Sequence, residues 1–386
     1  MVKAALYERD AGWELPDPFL GENGVRIKKK EEWEERRNYY KKLLEEHFYG
    51  KMPPGPPQIK WESHVRKTIE DGKGIYEKVR LQTGPNGEIG FFIHVFRPDC
   101  RDKSVPVIMP SGDKVDENFV RMAIGQKFSI ISLEIDEAAP DDKEGYKNGS
   151  CARAYPEYSW RALAMWAWLE SRVMDWLEEQ DFADSKKMVV TGHSRMGKAA
   201  LCCGIYDERA AVVAPVGSGC GGMASLRLNG NRLGEGIGRA ERIGVMLSEK
   251  NFSYWLLDEM RSYGTEDGLT PYRENEIPFD ANILGACIAP RGLVLAEGLD
   301  DTWINPFGTQ VSWLAASEVY AFLGEPEKCA IHYREGGHAY TLEDWSVVLD
   351  FCNVVLNGKE KTGNYKIRGK EDVACGYSWK RPCAED

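Results

Sequence analysis

The 386-residue chain contains no long hydrophobic segment. No stretch approaches the ~20 consecutive apolar residues that a transmembrane helix requires. The N-terminal sequence MVKAALYERDAGWELPD also lacks the apolar core of a secretory signal peptide. We therefore expect no membrane partner, and either a cytoplasmic location or the mature form of a secreted protein.

The ten cysteines are not spaced like a metal or redox site. No two of them form a C-x-x-C pair, which argues against a zinc or dithiol motif. Cys202 and Cys203 follow an apolar run, as buried free thiols often do. The sequence leaves the disulfide status of the ten cysteines open.

The chain also lacks an excess of positive charge. Its formal net charge is −11 and its isoelectric point is about 5.3. These values argue against nucleic acid or an anionic membrane as the main partner. Twelve tryptophans and seventeen tyrosines are present. Aromatic-rich clefts often bind sugars by stacking, although filling of the core explains most of these residues equally well.

One stretch, MVVTGHSRMGKAAL at residues 188–201, places Ser194 between Gly192 and Gly197. A β-favouring run precedes the serine and a helix-favouring run follows it. This pattern is typical of a nucleophile elbow, a sharp turn that presents a hydroxyl at the edge of a parallel sheet. The spacing is G-x-S-x-x-G rather than G-x-S-x-G, and by itself an ordinary strand–helix turn would explain it about as well.

Two cations follow the serine. Arg195 is its neighbour, and Lys198 lies four residues later, on the same face of the predicted helix. Positive charge at a helix start opposes the helix dipole, so two merely solvated charges are disfavoured there. Cations beside a nucleophile suit an anionic substrate or a developing oxyanion.

Short apolar runs alternate with helix-like segments between residues 105 and 356, which predicts an α/β protein with a doubly wound, mostly parallel sheet of the α/β-hydrolase type. Residues 1–60 are predicted to be an N-terminal extension whose helix, at 31–49, packs on the core. Residues 61–386 are predicted to form the hydrolase domain, with an Asn-Gly hairpin near residue 86. Residues 225–280 are interpreted as an insertion over the active site, in which SYWLLDEM is predicted to be helical.

A serine hydroxyl needs a base to remove its proton. His338 follows Gly336-Gly337 in a loop after the last predicted strand, where the hydrolase chain order places the base. His193 is adjacent to Ser194, and neighbouring side chains on an elbow are expected to point apart. We therefore predict His338 as the base.

The base needs an orienting carboxylate. The loop after the strand at 210–215 has no carboxylate between residues 214 and 224. The next loop offers Glu297, Asp300 and Asp301. We predict Asp301 as the acid and keep Asp300 as the reserve.

Four motifs occur in a characteristic order: GHSRMGKAAL, SGCGG, IAPR followed by DDTWINPFG, and REGGH. In these motifs the chain resembles the glucuronoyl esterases, carbohydrate esterase family 15, over about residues 35–356. The S-R-x-G-K core is the most specific part. The resemblance implies an α/β-hydrolase with no metal and no cofactor. Such enzymes cleave the ester between 4-O-methyl-glucuronic acid on xylan and an alcohol of lignin.

The resemblance also implies roles for individual residues. Ser194 matches the nucleophile and His338 the base. Arg195 matches the arginine that stabilises the oxyanion, and Lys198 the lysine that contacts sugar hydroxyls.

Two further substrate-binding residues are implied. Glu235, in LGEGIG, resembles the glutamate that binds the sugar ring, and Trp303 a tryptophan on the acid loop. Fungal members place the triad glutamate just before the SG-x-GG loop, where this chain has Gly217. Many bacterial members use an aspartate after the next strand, which fits Asp301, so the chain resembles a bacterial-type member.

Two other functions remain open at this point. One is an acetyl-xylan or other carbohydrate deacetylase of the same fold. The Arg195–Lys198 pair favours a uronate substrate over this alternative. The other is a non-catalytic sugar-binding homologue, against which the intact set of Ser194, His338 and Asp301 argues. In each case the partner is a carbohydrate.

Overall fold

The computed structural model describes residues 14–21, 24–56, 58–100, 105–112, 115–228, 240–264, 273–363, 365 and 376–383. Within these residues no helix is both long enough and apolar enough to cross a membrane. The nine cysteines among them are free thiols, seven of which are buried.

A nine-stranded sheet organises the described part of the chain, with strand order β1-β2-β3-β5-β4-β6-β7-β8-β9. The first three strands and β5 pair antiparallel, and the strands from β5 to β9 pair parallel. This confirms the predicted α/β-hydrolase architecture and the hairpin between β2 and β3. The strands are β1 Lys60–Ile69, β2 Gly74–Thr83, β3 Ile89–Pro98, β4 Val107–Pro110, β5 Ser129–Leu133, β6 Met188–His193, β7 Ala210–Val216, β8 Gly292–Gly298 and β9 Cys329–Arg334.

Helices cover both faces of this sheet. Successive residues of a strand point to opposite faces, so Val190 packs in the layer that contains α5 and α6, while Val189 packs against α2 and α10. The central strands are therefore mostly apolar, as expected for strands buried on both faces. The helices are α1 Trp33–Leu44, α2 Glu117–Gly125, α3 Gly145–Asn148, α4 Ser150–Ala154, α5 Ala162–Glu178, α6 Arg195–Tyr206, α7 Ile243–Met246, α8 Ala281–Ala286, α9 Pro306–Leu323 and α10 Leu342–Asn357.

The N-terminal helix α1 contributes to the same core as α5 and α6. Trp33, Tyr40 and Leu44 are buried, and Phe48 follows them in one turn of π-helix. Because these side chains recur at intervals of seven and four residues, they lie on one face of the helix. The division of the chain at residue 60 stays a prediction.

The helix prediction for SYWLLDEM, residues 253–260, is wrong for its first five residues. Residues 253–256 form turns, and a 3₁₀ helix follows at Asp258–Tyr263. The carbonyls of Tyr254 and Trp255 accept hydrogen bonds from the N–H groups of Ala162 and Leu163, at the start of α5. The segment thus satisfies the unpaired amides of another helix, and this tertiary demand overrides its own helix propensity.

Candidate active site

Ser194 lies at the turn between β6 and α6 in an unusual backbone conformation, with φ 59° and ψ −124°. A non-glycine residue with positive φ costs free energy, on the order of 1–3 kcal/mol, which the surrounding structure must supply. The N–H of Ser194 donates to the carbonyl of Val216 on the neighbouring strand at 3.0 Å. This is the geometry of a nucleophile elbow, and the sheet holds it in place.

The two glycines of the elbow are required by close backbone approach. A Cβ on Gly192 would lie 2.4 Å from the backbone carbonyl of Met196. One on Gly197 would lie 2.9 Å from the carbonyl oxygen of Gly192. The strand end and the first helical turn touch here, which explains why the second glycine stands at 197 in this chain.

His338 and Asp301 are in contact. Their loops follow the adjacent parallel strands β9 and β8, and the Nδ1 of His338 lies 2.6 Å from the Oδ2 of Asp301. Asp301 is 6% exposed and His338 is 40% exposed. A buried carboxylate on one ring nitrogen fixes the tautomer, so that Nδ1 carries the proton and Nε2 is left as an acceptor.

The other two carboxylates of the acid loop have different environments. Asp300 Oδ2 accepts the N–H of Gly336 at 2.9 Å, so Asp300 holds the backbone of the histidine loop. Glu297 points from β8 into the core, and burial raises the pKa of its carboxyl well above the usual range. Among the three carboxylates considered from the sequence, Asp301 alone is hydrogen-bonded to His338.

His193 brings the elbow and the histidine loop together. Its ring centroid lies 4.3 Å from that of His338. Burial, and secondarily the charge of His338, lower the pKa of His193 to about 4. Since Ser194 is the next residue, this contact places His338 beside the elbow, while His193 itself is too weak a base at neutral pH.

Gly217 explains why this chain carries its acid after β8. A Cβ on Gly217 would lie 3.3 Å from the His193 ring, and the residue has a φ of +49°. A carboxylate side chain at this position would be strained in its backbone and would crowd the imidazole. Asp301 approaches His338 from the other neighbouring loop instead.

The guanidinium of Arg195 is oriented by residues outside the elbow. Its Nη1 lies 2.5 Å from the Oδ2 of Asp141, and the group lies over the rings of Phe252 and Trp255 at 5.1 and 5.2 Å. Asp141 also accepts the hydroxyl of Tyr254 and the indole N–H of Trp255. Arg195 is 39% exposed, so part of its guanidinium still faces solvent.

Lys198 is buried in an ion pair. It is 1% exposed, and its Nζ lies 2.9 Å from Glu241 and 5.6 Å from the Trp255 ring. The backbone N–H of Glu241 donates to the carbonyl of Trp303, whose side chain is 41% exposed. Lys198, Glu241 and Trp303 therefore form one connected group.

Glu241 was not predicted from the sequence. The glutamate chosen there, Glu235, lies outside the described residues, six positions earlier in the same glycine- and arginine-rich stretch. One signal was available. Glu241 lies two residues before the run Ile243–Met246, three of whose four residues are buried.

The described residues contain no cluster of three or more His, Cys, Asp or Glu side chains that could hold a metal ion. What they bring together is a strained serine, an imidazole with a buried carboxylate, and cations beside aromatic rings. These groups can carry out nucleophilic acyl transfer through their own side chains.

Comparison with known proteins shows which family this chain resembles. A family model described as glucuronyl esterase, fungi, matches residues 82–324, more than half of the chain. A carbohydrate esterase from an unknown prokaryotic organism is 26% identical, over 89% of this chain and 90% of its own length. A 4-O-methyl-glucuronoyl methylesterase from Phanerochaete carnosa is 26% identical, over 95% of this chain and 86% of its own.

A solved structure is similar over nearly the whole chain. The carbohydrate esterase family 15 glucuronoyl esterase from Caldicellulosiruptor kristjansonii has a TM-score of 0.83 at 28% identity, and the match covers 98% of this chain and 100% of that one. The family match, the shared architecture and the arrangement around Ser194 lead to one conclusion. This chain belongs to the glucuronyl esterase family, carbohydrate esterase family 15.

Proposed function

We propose that this protein is a serine esterase that cleaves esters of glucuronic or 4-O-methyl-glucuronic acid, as in the lignin–carbohydrate esters of glucuronoxylan, through an acyl-enzyme. The observation that carries the proposal is the hydrogen bond between His338 and the buried Asp301, beside the elbow of Ser194. The names of relatives such as the P. carnosa methylesterase support the substrate class.

The reaction begins with proton transfer. The Nε2 of His338 removes the proton of the Ser194 hydroxyl as the oxygen attacks the ester carbonyl. Asp301 stabilises the resulting imidazolium through Nδ1. The tetrahedral intermediate collapses when His338 gives that proton to the leaving alcohol. Water then repeats both steps on the acyl-enzyme and releases the free uronic acid.

Negative charge develops on the carbonyl oxygen in each half of the reaction. The backbone N–H of Arg195 opens α6, and the helix N-terminus favours an anion there. We assign the Arg195 guanidinium as a second donor, with Asp141 and the two aromatic rings limiting its motion. Loss of one such donor typically costs about 10²–10³-fold in rate.

The sugar is assigned to the group around Lys198. Because the uronic carboxyl is esterified in the substrate, Lys198 acts on sugar hydroxyls as a hydrogen-bond donor. Glu241 forms an ion pair with this lysine and can accept from a hydroxyl. Trp303 offers an exposed ring face on which a sugar can stack. The role assigned to Glu235 stays a prediction from the resemblance.

Paired assays test the substrate class. We expect the protein to hydrolyse benzyl glucuronate with a kcat/KM well above that for p-nitrophenyl acetate, whose acyl group makes no contact with Lys198 or Trp303. Benzyl galacturonate, which differs in one hydroxyl configuration, controls for recognition of the sugar. Ready cleavage of the acetate with no cleavage of the glucuronate would refute the proposal.

A further inference from the structure

In the loop that carries His338, residues 335–341, the stretch 335–339 has little apolar packing, whereas Tyr340 packs against Phe119 and Trp345. Glu335 and residues 337–339 are exposed, and Gly336 has a φ of +95°. An exposed loop with few buried contacts opens easily unless hydrogen bonds fix it. The position of the His338 imidazole therefore depends on what holds the backbone of this loop.

Besides Asp300, which accepts the N–H of Gly336, one guanidinium holds this backbone. Arg334, the last residue of β9, is 6% exposed, and its Nη2 donates to the carbonyls of Gly337 and Ala339, at 3.1 and 2.6 Å. These two residues stand on either side of His338. The Nη1 donates to the carbonyl of Glu335 at 3.0 Å. The planar fork of arginine thus spans the loop from its start to the residue after the histidine.

The same guanidinium is anchored to α10. Its Nε donates to the Oδ2 of Asp344 at 2.7 Å, and Asp344 is fully buried. That oxygen also accepts the N–H and the hydroxyl of Thr341, the N-cap of α10, each at 2.8 Å. A buried charge pair with this many hydrogen bonds is geometrically well defined.

We propose that Arg334 is a positioning residue for the esterase reaction: it fixes the backbone on both sides of His338, so that Nε2 stays within reach of the serine hydroxyl and of the leaving alcohol. This inference rests on the proposed function. Arg334 touches no substrate and acts through His338. Lysine cannot replace it, because an ammonium group lacks the planar fork that reaches Asp344 and three carbonyls at once.

The chemistry supplies a readout that a purely structural role would not change. In acylation His338 takes the proton from Ser194 and then gives the same proton to the departing alkoxide. A methoxide leaving group needs that proton, whereas a phenoxide, a much weaker base, leaves largely without it. A misplaced imidazole therefore impairs both proton transfers in the hydrolysis of a methyl ester, but only the transfer from Ser194 in that of a phenyl ester.

The test compares Arg334→Lys with wild type on the methyl and phenyl esters of glucuronic acid, by kcat/KM, which includes steps only through acylation. We expect kcat/KM for the methyl ester to fall by about 10–100-fold, since small misplacements of catalytic groups have effects of this size. The fold-loss in kcat/KM for the phenyl ester should be at least about five times smaller. KM should change by less than about twofold.

Arg291→Lys is the matched control. Arg291 lies just before β8, at the N-terminal end of the parallel strands, whereas the active-site loops follow their C-terminal ends. It donates to the backbone carbonyls of Gly204, Asp207, Ala210 and Cys287. It should lower thermal stability yet leave the ratio of the two esters unchanged. If Arg334→Lys fails to fold, Asp344→Asn, which removes the anchor alone, is measured for the same ratio.

Equal losses on both esters, or no loss, would overturn the positioning role. If wild type hydrolyses neither ester, the proposed function fails by itself. The rate at which a fluorophosphonate labels Ser194 then decides the inference, since that rate also depends on the base. Slower labelling of Arg334→Lys than of Arg291→Lys supports the positioning role, and equal labelling contradicts it.

Discussion

Two imidazoles in contact, His193 and His338, differ in what surrounds them. His193 is buried against Gly217, and its pKa is lowered to about 4, whereas His338 is partly exposed and bonded to Asp301. The neutral ring of His193 gives His338 a flat surface to pack against without competing for the proton of Ser194. Placement of a carboxylate, rather than distance along the chain, selects the base.

The two neighbouring aspartates of the acid loop are expected to differ sharply. Asp301→Asn keeps the shape of the side chain but removes the charge that orients His338, so kcat should fall by roughly 10³–10⁴-fold. Asp300→Asn, whose contact is the N–H of Gly336, should lower kcat by less than about tenfold. Steady-state rates on benzyl glucuronate check this, and similar losses in both variants would contradict the assignment.

Among the residues of the candidate active site, the sequence predicted those that belong to motifs. Ser194 was recognisable from its glycines, and His338 and Asp301 from chain order and from the strands that precede them. Glu241 and Asp141 were not predicted, because their contacts to Lys198 and Arg195 span 43 and 54 residues. No local spacing encodes a pairing of that kind.

Among the structural elements, the junction of β6 and α6 tolerates substitution least. Gly192→Ala would drive a Cβ into the backbone of Met196, and backbone cannot move aside as a side-chain end can. We expect a loss of about 1–3 kcal/mol in the free energy of unfolding, with a large fall in activity. Urea unfolding followed by fluorescence measures the first.

Gly125→Ala, at the end of α2, is the control for that substitution. A Cβ there meets no atom within 4 Å, so alanine should be neutral or stabilising by up to about 1 kcal/mol. If Gly192→Ala were as stable as Gly125→Ala, the tight contact between strand and helix would be wrong.

The long elements were predictable, and the short ones were not. The parallel strands are mostly apolar runs, and α5, α9 and α10 each span four or more turns, so their patterns are readable in the sequence. Helices α3, α4, α7 and α8 have four to six residues, too few to show a 3.6-residue period. The segment at 253–256 was predicted incorrectly because its carbonyls serve α5.

For the molecule as a whole, buried carboxyls set part of the response to pH. Glu170 on α5 is 1% exposed, and burial raises the pKa of its carboxyl well above the ordinary 4.5. The unfolded chain therefore loses this proton at lower pH than the folded one does. The stability that it contributes is complete below pH about 4.5 and is lost as the pH rises toward the folded pKa.

Glu170→Gln removes this titration. The free energy of unfolding of this variant, minus that of wild type, should increase with pH between 5 and 8, by up to about 1.4 kcal/mol per pH unit. Glu34→Gln, on the exposed side of α1, is the control for the loss of a carboxyl at the surface. Denaturant melts at several pH values check this, and a pH-independent difference for Glu170→Gln would contradict it.

The central claim is that Ser194 attacks the ester carbonyl. Its most direct test is kcat for Ser194→Ala beside wild type on methyl glucuronate, with thermal unfolding to show that both proteins are folded. We predict that the variant loses roughly 10⁴-fold or more in kcat while unfolding at a similar temperature. A folded Ser194→Ala variant with a kcat within tenfold of wild type would contradict the claim.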